Sequence, residues 1–172
     1  MRIIFLLLAA NVFCQTVSIE SGVNYFLGNL QKELEISPYG SVGFEIELSH
    51  YTNGYLQGSY SYLSLKRNSD FYGLNQFIGR AGIETSERIF EFASVGVGIS
   101  LAGIRGNNRT PQSEMYMLSS SESEFGWNAR LKLNILRFEK FIIGTRFYYD
   151  EIWTKPKSSS LLQGGIFVSY SL

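Results

Sequence analysis

The side chains that most often perform chemistry in proteins are scarce in this 172-residue chain. It has one histidine, His50, and one cysteine, Cys14. A histidine can activate a hydroxyl nucleophile, and Thr52 lies two residues after His50, but the next acidic residue along the chain is Asp70. One histidine and one cysteine are too few ligands for a zinc site, and no glycine-rich phosphate-binding motif occurs. We therefore expect no catalytic residues, no cofactor and no metal.

Charge is more informative in its placement than in its total. The chain has 15 Lys and Arg against 15 Asp and Glu, so it offers no basic surface for nucleic acid. Several charged residues instead stand at alternate positions inside apolar stretches. Three are acidic and three basic: Glu20, Glu45 and Glu47, and Arg130, Lys132 and Arg146. An alternation of period two places such residues on one face of a β-strand.

The N-terminus has the features of a secretory signal peptide. Met1-Arg2 precedes an apolar stretch from Ile3 to Ala10, which is too short to span a bilayer as a helix. Cleavage before Gln15 would remove residues 1–14 and leave 15–172 as one domain. In the alternative, a lipoprotein signal, Cys14 would be acylated, but the bulky Phe13 occupies a position that favours a small residue. The mature chain without Cys14 has no disulfide to hold it together.

Eight stretches with period-two alternation follow the signal peptide, and each is typical of a strand that crosses a membrane obliquely. Apolar residues stand at polar positions of the alternation in two places. Leu63 and Leu65 suggest a bulge or an early strand end, and Ile78 stands on the face of its strand that otherwise carries polar residues. The predicted strands are Thr16–Leu27, Tyr39–His50, Tyr55–Leu65, Leu74–Glu84, Ile89–Gly103, Phe125–Leu136, Phe141–Ile152 and Leu161–Leu172.

The connections between these strands alternate in length. Long polar segments at 28–38, 66–73, 104–124 and 153–160 alternate with tight turns at 51–54, 85–88 and 137–140. Asn53-Gly54 is a favourable type I′ turn sequence. Short periplasmic turns and long extracellular loops are the pattern of outer-membrane barrels.

Aromatic residues near both strand ends predict the two belts that such barrels place at the membrane interfaces. The belt at the loop ends consists of Tyr25, Tyr39, Tyr62, Trp127, Tyr149 and Trp153. The belt at the turn ends consists of Tyr51, Tyr55, Phe90, Phe138, Phe141 and Tyr170.

Polarity distinguishes this pattern from that of a soluble, lipocalin-like barrel. A soluble barrel keeps large apolar residues inside, whereas burial of the charged face found here would be costly unless its members were paired. An outer surface of Val, Ile, Leu and Phe is favourable in lipid. The prediction is an all-β protein, an eight-stranded antiparallel up-and-down transmembrane β-barrel in the bacterial outer membrane, with outer-membrane lipids around it.

The signal peptide, the eight strands, the loop pattern and the final strand Gly164–Leu172 together resemble the small outer-membrane barrels of the OmpA membrane-domain, OmpX and opacity-protein type. The resemblance covers the whole mature chain but contains no specific motif, so it implies fold and location more than activity. It implies a monomer that the barrel-assembly machinery inserts into the membrane. The corresponding function is a non-enzymatic surface barrel whose loops contact the environment or a host.

Two other functions remain open at this stage. The stretch Ser49–Gly54 is similar to the His-x-Ser-Asn motif of the outer-membrane lipid A deacylases, with Thr52 in place of the serine, so His50 and Thr52 could serve an acyl hydrolase. A small porin-like solute channel is the third hypothesis. Within the loop at 104–124, Met115, Tyr116 and Met117 form a candidate contact surface for an extracellular partner, or an extension of strand six.

The charged residues of the polar face lead to a last expectation. Hairpin pairing brings Glu20 near Glu45 and Glu47, and Arg146 near Arg130 and Lys132. An eight-stranded lumen is only wide enough for side chains to fill it. We therefore expect the acidic and basic patches to meet across the lumen as an ion network that plugs it.

Overall fold

The protein is a closed β-barrel in the computed structural model, which describes residues 16–28, 31, 34–64, 71–87, 90–108, 122–153 and 158–172. Each strand pairs antiparallel with its neighbours in sequence, and β1 pairs with β8 from Thr16 opposite Ser171 to Phe26 opposite Leu161. The strands are β1 Thr16–Phe26, β2 Ser37–Ser49, β3 Thr52–Ser64, β4 Phe71–Thr85, β5 Ala93–Asn108, β6 Glu122–Phe138, β7 Phe141–Ile152 and β8 Ser159–Ser171. The predicted fold class, an eight-stranded antiparallel barrel, is confirmed.

The two faces of the barrel have opposite polarity. On β5, Val95, Val97 and Ile99 are exposed on the outside, while Ser94 before them and Ser100 after them, which have the opposite alternation, are buried. The same alternation runs through the other strands, because successive side chains of a strand point to opposite faces. The lumen therefore receives the polar and charged residues, and the outer surface is covered by exposed aliphatic and aromatic side chains. None of the described residues belongs to a helix that is long and apolar enough to cross a membrane.

The first hairpin on the turn side differs from the prediction. The turn is formed by His50 and Tyr51, between the paired residues Ser49 and Thr52, and Asn53-Gly54 lies inside β3. The pairing of β2 with β3 shifts in register between Glu47 and Ser49, just before this turn. The positive φ values among the described residues occur at Gly28 and Glu139, so a type I′ turn, which needs two of them, is not formed at Asn53-Gly54.

Connection lengths also depart from strict alternation. Strand β5 begins at Ala93 rather than Ile89, so the connection predicted as a tight turn at 85–88 spans 86–92 and is no shorter than the connection 65–70. Between β5 and β6 the strands continue to Asn108 and from Glu122, into the segment predicted as loop. We call the end of the barrel with connections 50–51, 86–92 and 139–140 the turn end, and the opposite end the loop end.

The two exceptions to the alternation have a common explanation. Strand β3 pairs regularly with β4 up to Ser64 opposite Gly73, so the predicted bulge or early end near Leu63 is wrong. Leu63 and Ile78 both point inwards and are buried in an apolar cluster at the loop end of the lumen. We call this cluster the apolar layer; it consists of Phe26, Leu34, Leu63, Ile78, Ala102, Ile152 and Leu161.

A prediction follows from the polarity of the outer face. Val97 is 59% exposed near the middle of that face, and Phe92 is 66% exposed at the turn end. If the outer face lies in lipid, Val97→Arg lowers the free energy of unfolding by about 2–4 kcal/mol, because the charge lies near the bilayer midplane, and Phe92→Arg costs about 0–1 kcal/mol at the interface.

The measurement is denaturant unfolding of the barrel from lipid vesicles, with Val97→Leu as the apolar control. Equal costs for the arginine at both depths would contradict a lipid-facing outer surface.

Candidate functional site

The lumen holds the candidate site, because it gathers the chain's buried charged side chains. Eight of them are nearly inaccessible to solvent. They are Glu20, Glu45, Glu84 and Asp150, and Arg80, Arg130, Lys132 and Arg146. Among the described residues these are four acidic and four basic groups, which together carry no formal net charge. We call these eight residues the lumen network.

Glu45 of β2 is the centre of the turn-end part of the network. Its carboxylate contacts Arg130, Lys132 Nζ at 3.0 Å, and Arg146 Nη2 at 3.1 Å. These basic residues lie on β6 and β7, and β6 stands opposite β2 in the eight-stranded barrel. The contacts therefore cross the lumen. Arg146 also holds Glu20 Oε2 at 3.0 Å and donates to Ser18 Oγ at 3.2 Å, which brings β1 into the same cluster.

Of the six residues that the sequence assigned to this network, the structure brings five together. Glu47 differs: it is exposed at the turn end, where it borders an open cavity of about 520 Å³. Glu47 lies two residues beyond Glu45 toward the turn end of β2, where the cavity that both residues border opens to solvent.

A second carboxylate balances the basic residues on β6. Glu84 Oε2 lies 3.2 Å from Arg130 Nε, and Glu84 Oε1 lies 3.5 Å from Lys132 Nζ. Lys132 Nζ also contacts Glu87 Oε1 at 3.1 Å, and Glu87 pairs with the half-exposed Arg137 at the barrel rim. The network thus extends from the buried lumen to the solvent at the turn end.

A second part of the lumen network, the Arg80–Asp150 ion pair, occupies the middle of the lumen and is linked to Glu20 through Gln57. Arg80 of β4 donates to Asp150 of β7 through Nη2 at 2.6 Å and through Nε at 2.9 Å, which is a two-pronged contact. The remaining polar atoms are satisfied by four neighbours: Gln163, Gln57 and Ser59 accept from the guanidinium, and Ser100 donates to Asp150. The alternation indicated that Arg80, Glu84 and Asp150 face the lumen, but it gave no partner for them, because their partners lie on strands distant in sequence.

Three tyrosines complete the packing between the charges. Tyr39 donates to Glu20, and Tyr55 donates to Asn128 Oδ1 at 2.5 Å. The Tyr148 ring lies 4.5 Å from the Arg80 guanidinium, and the Tyr55 ring lies 4.6 Å from that of Arg130, which are cation–π distances. The prediction that Tyr39 and Tyr55 belong to the interface belts is wrong. Each lies an even number of residues from the lumen-facing residues of its strand, so its side chain also points into the lumen and is buried.

Glycines provide the space for two of these tyrosines. A Cβ added at Gly82 or Gly98 would lie 2.6 Å or 2.7 Å from the Tyr55 hydroxyl oxygen, and one at Gly165 would lie 2.7 Å from that of Tyr39. Each distance is well inside van der Waals contact. The glycines on the lumen face therefore leave room for tyrosines that come from the neighbouring strand or the next one along the wall, and a side chain at these positions would displace the ring.

The other candidate residues lie outside this arrangement. His50 and Thr52 are at the turn end, where the His50 ring packs edge-on against Tyr51 with centroids 5.0 Å apart. Met115, Tyr116 and Met117, and the segment 1–15 with the predicted signal peptide, lie outside the described residues. In the part of the chain that the structure describes, no group of three or more His, Cys, Asp or Glu side chains is arranged to hold a metal ion.

The lumen network predicts a marked asymmetry between buried and exposed charges. Asp150→Ala leaves the Arg80 guanidinium buried without its carboxylate, and we expect it to lower the free energy of unfolding by about 3–5 kcal/mol. Arg137→Ala removes a partner that is 52% exposed, and should cost about 0–1 kcal/mol.

The double variant Arg80→Ala/Asp150→Ala should recover part of the loss, because it buries no lone charge. Unfolding in denaturant measures all three variants. A cost for Asp150→Ala as small as that for Arg137→Ala would contradict the buried pairing.

Comparisons with known proteins agree with the barrel geometry. No protein-family model and no curated protein matches the chain. Among solved structures, it is similar to the outer membrane protein OprG of Pseudomonas aeruginosa, with a TM-score of 0.64 and 9% identity over 93% of this chain and 97% of that one.

Two further structures are similar at comparable coverage. Neisserial surface protein A gives a TM-score of 0.58 at 8% identity over 91% of this chain and 96% of that one. The attachment invasion locus protein Ail of Yersinia pestis gives 0.54 at 11% identity over 92% and 99%. The protein therefore has the fold of the small eight-stranded outer-membrane β-barrels.

Proposed function

We propose that this protein is an integral β-barrel of the bacterial outer membrane, that its lumen is closed by its own side chains, and that it has no enzymatic activity. Its function then depends on the loop end, which contacts the surroundings of the cell. The observation that carries this proposal is the inverted polarity of the barrel. Charged residues are buried inside, and large apolar side chains such as Ile99 and Phe125 are exposed outside.

Lipid is the environment that favours this arrangement. In water the outer surface would be a continuous apolar patch, which soluble monomers avoid. In a bilayer, a closed barrel satisfies the backbone hydrogen bonds of every strand, which an open sheet does not. Exposed aromatic side chains lie near both strand ends, including Tyr62 and Trp153 at the loop end and Phe138 and Tyr170 at the turn end. Such rings favour the membrane–water interfaces.

Closure of the lumen is supported by two successive obstructions. The lumen network occupies the turn-end half and the middle, with Arg80 and Arg146 both fully buried. The apolar layer follows at the loop end, and it includes Leu34 from the β1–β2 connection. A hydrated ion would have to displace paired charges and then cross an apolar constriction.

Location can be tested through the resistance of folded barrels to detergent. The protein should fractionate with the outer membrane, and its gel mobility should shift on boiling. The mass of the extracted protein should correspond to a chain that begins at Gln15. Recovery as a soluble periplasmic protein would contradict the proposal, and a mature chain that begins at a lipid-modified Cys14 would show a lipoprotein signal instead of cleavage before Gln15.

Closure predicts the behaviour of the protein in a planar bilayer. The unmodified barrel should give no steady conductance. The variant Arg80→Ser/Asp150→Ser, which shortens both members of the central pair without leaving a lone charge, should increase the frequency of openings.

The matched control is Arg137→Ser, which removes a half-exposed charge at the barrel rim, leaves Glu87 in contact with Lys132, and should leave the recordings unchanged. Large, stable openings of the unmodified protein would favour a porin-like channel over a closed barrel.

A further inference from the structure

Among the described residues, β1 and β2 separate at the loop end of the barrel. Pairing of these strands stops at Asn24 opposite Ser37. Beyond this point β1 continues along β8, through Phe26 opposite Leu161 and the bond from Leu27 N to Ser160 O. The segment before β2 instead follows β3, through the bond from Glu35 N to Ser64 O. The two chains therefore diverge, and we call the gap between them the notch.

Apolar side chains from both faces of the barrel line the notch. Phe26 and Leu34 belong to the apolar layer of the lumen, whereas Tyr25 and Ile36 are exposed on the outer face. Between them lies a cavity of about 330 Å³, lined by these four residues together with Gln31 and Glu35. This volume is in the range of small-molecule sites. The cavity is thus bordered both by side chains of the outer face and by members of the apolar layer.

The polar groups of the cavity lie at its rim. Gln31 donates from its side-chain amide to the Tyr25 hydroxyl, and the Glu35 side chain is exposed. Apolar walls with a polar rim suit an amphiphile, whose chain can lie against Phe26, Leu34 and Ile36 while its head group remains in the hydrated loop region. Tyr25 and Ile36 belong to the outer surface, so the molecules adjacent to the opening are membrane lipids.

We propose that the notch is a binding site for a single acyl chain of a membrane lipid, inserted from the side between β1 and β2. The inference rests on the proposed membrane location of the barrel. It goes beyond that function, because a lipid is bound at a defined place in the wall rather than only surrounding the barrel. Occupancy would also place the acyl chain against Leu34, the residue by which the β1–β2 connection contributes to the apolar layer.

Fluorescence quenching can test the site with one reporter tryptophan. In a background with Trp127→Phe and Trp153→Phe, which removes both native tryptophans, the reporter is Ile36→Trp at the notch. The matched control is Ile166→Trp on the outer face of β8; both isoleucines are 64% exposed. The protein is held in a non-brominated detergent and titrated with a phosphatidylcholine brominated on its acyl chains.

We expect quenching at position 36 to saturate near one brominated lipid per barrel, while quenching at position 166 rises gradually without saturation. Leu34→Phe, which fills the cavity, should remove the saturable phase from the Ile36→Trp protein. If Leu34→Phe fails to fold, as judged by the gel shift on boiling, Tyr25→Trp provides a second reporter from the β1 side and should saturate at the same ratio.

Parallel, non-saturating curves at positions 36 and 166 would overturn the site. Saturation with a free brominated fatty acid, but not with the phospholipid, would overturn the assignment of a membrane lipid as the occupant. A separate arm uses vesicles made entirely of the brominated phospholipid. If Ile166→Trp is not quenched there, the barrel is not inserted in the bilayer, and the proposed membrane location fails together with the site.

Discussion

Charge pairing inside a narrow lumen is the constraint on which the rest of this structure depends. Closure of eight strands leaves an interior that side chains must fill, and this chain places four acidic and four basic groups there. Buried charges are tolerated when each has a partner and its remaining polar atoms are hydrogen-bonded. Glu45 meets this requirement with three basic partners, and Arg80 with Asp150 and surrounding amides and hydroxyls. The strand register must therefore be correct at several places at once.

This requirement links distant parts of the chain. The Arg80–Asp150 contact joins β4 to β7, and the Glu45–Arg130 contact joins β2 to β6. A shift of one residue in any of these strands would move its charges to the outer face and bring apolar side chains inside. The backbone ladder fixes which strands are neighbours, but the lumen network selects one register among those that the ladder alone would permit. The glycines near Tyr39 and Tyr55 also favour this register, because each ring fits only where glycines leave space for it.

Most of the fold could be predicted from the sequence, because period-two alternation is a local property. It identified all eight strands, and β7 has the predicted bounds of Phe141–Ile152. Errors arose where a residue type was given more weight than its parity. Tyr39 and Tyr55 were assigned to the interface because they are aromatic, and Leu63 was treated as an exception because it is apolar, although the parity of each residue places it in the lumen. Asn53-Gly54 has the composition of a turn, but the pairing of β3 with β4 from Thr52 onward extends the strand through it.

The individual ion pairs depend on geometry that the sequence does not contain. Alternation predicts that a carboxylate faces inwards, but the height at which it meets a base across the lumen depends on the tilt and stagger of the closed barrel. Glu84 and Glu45 come from different strands and approach the same two bases, Arg130 and Lys132. Because the acidic side chains of the lumen network are already paired with its basic side chains, the network has little attraction for a solute of either charge. A binding site in such a barrel then has to lie in a part of the wall outside the lumen network. The described part of the chain contains such a place where β1 and β2 diverge beyond Asn24 and Ser37.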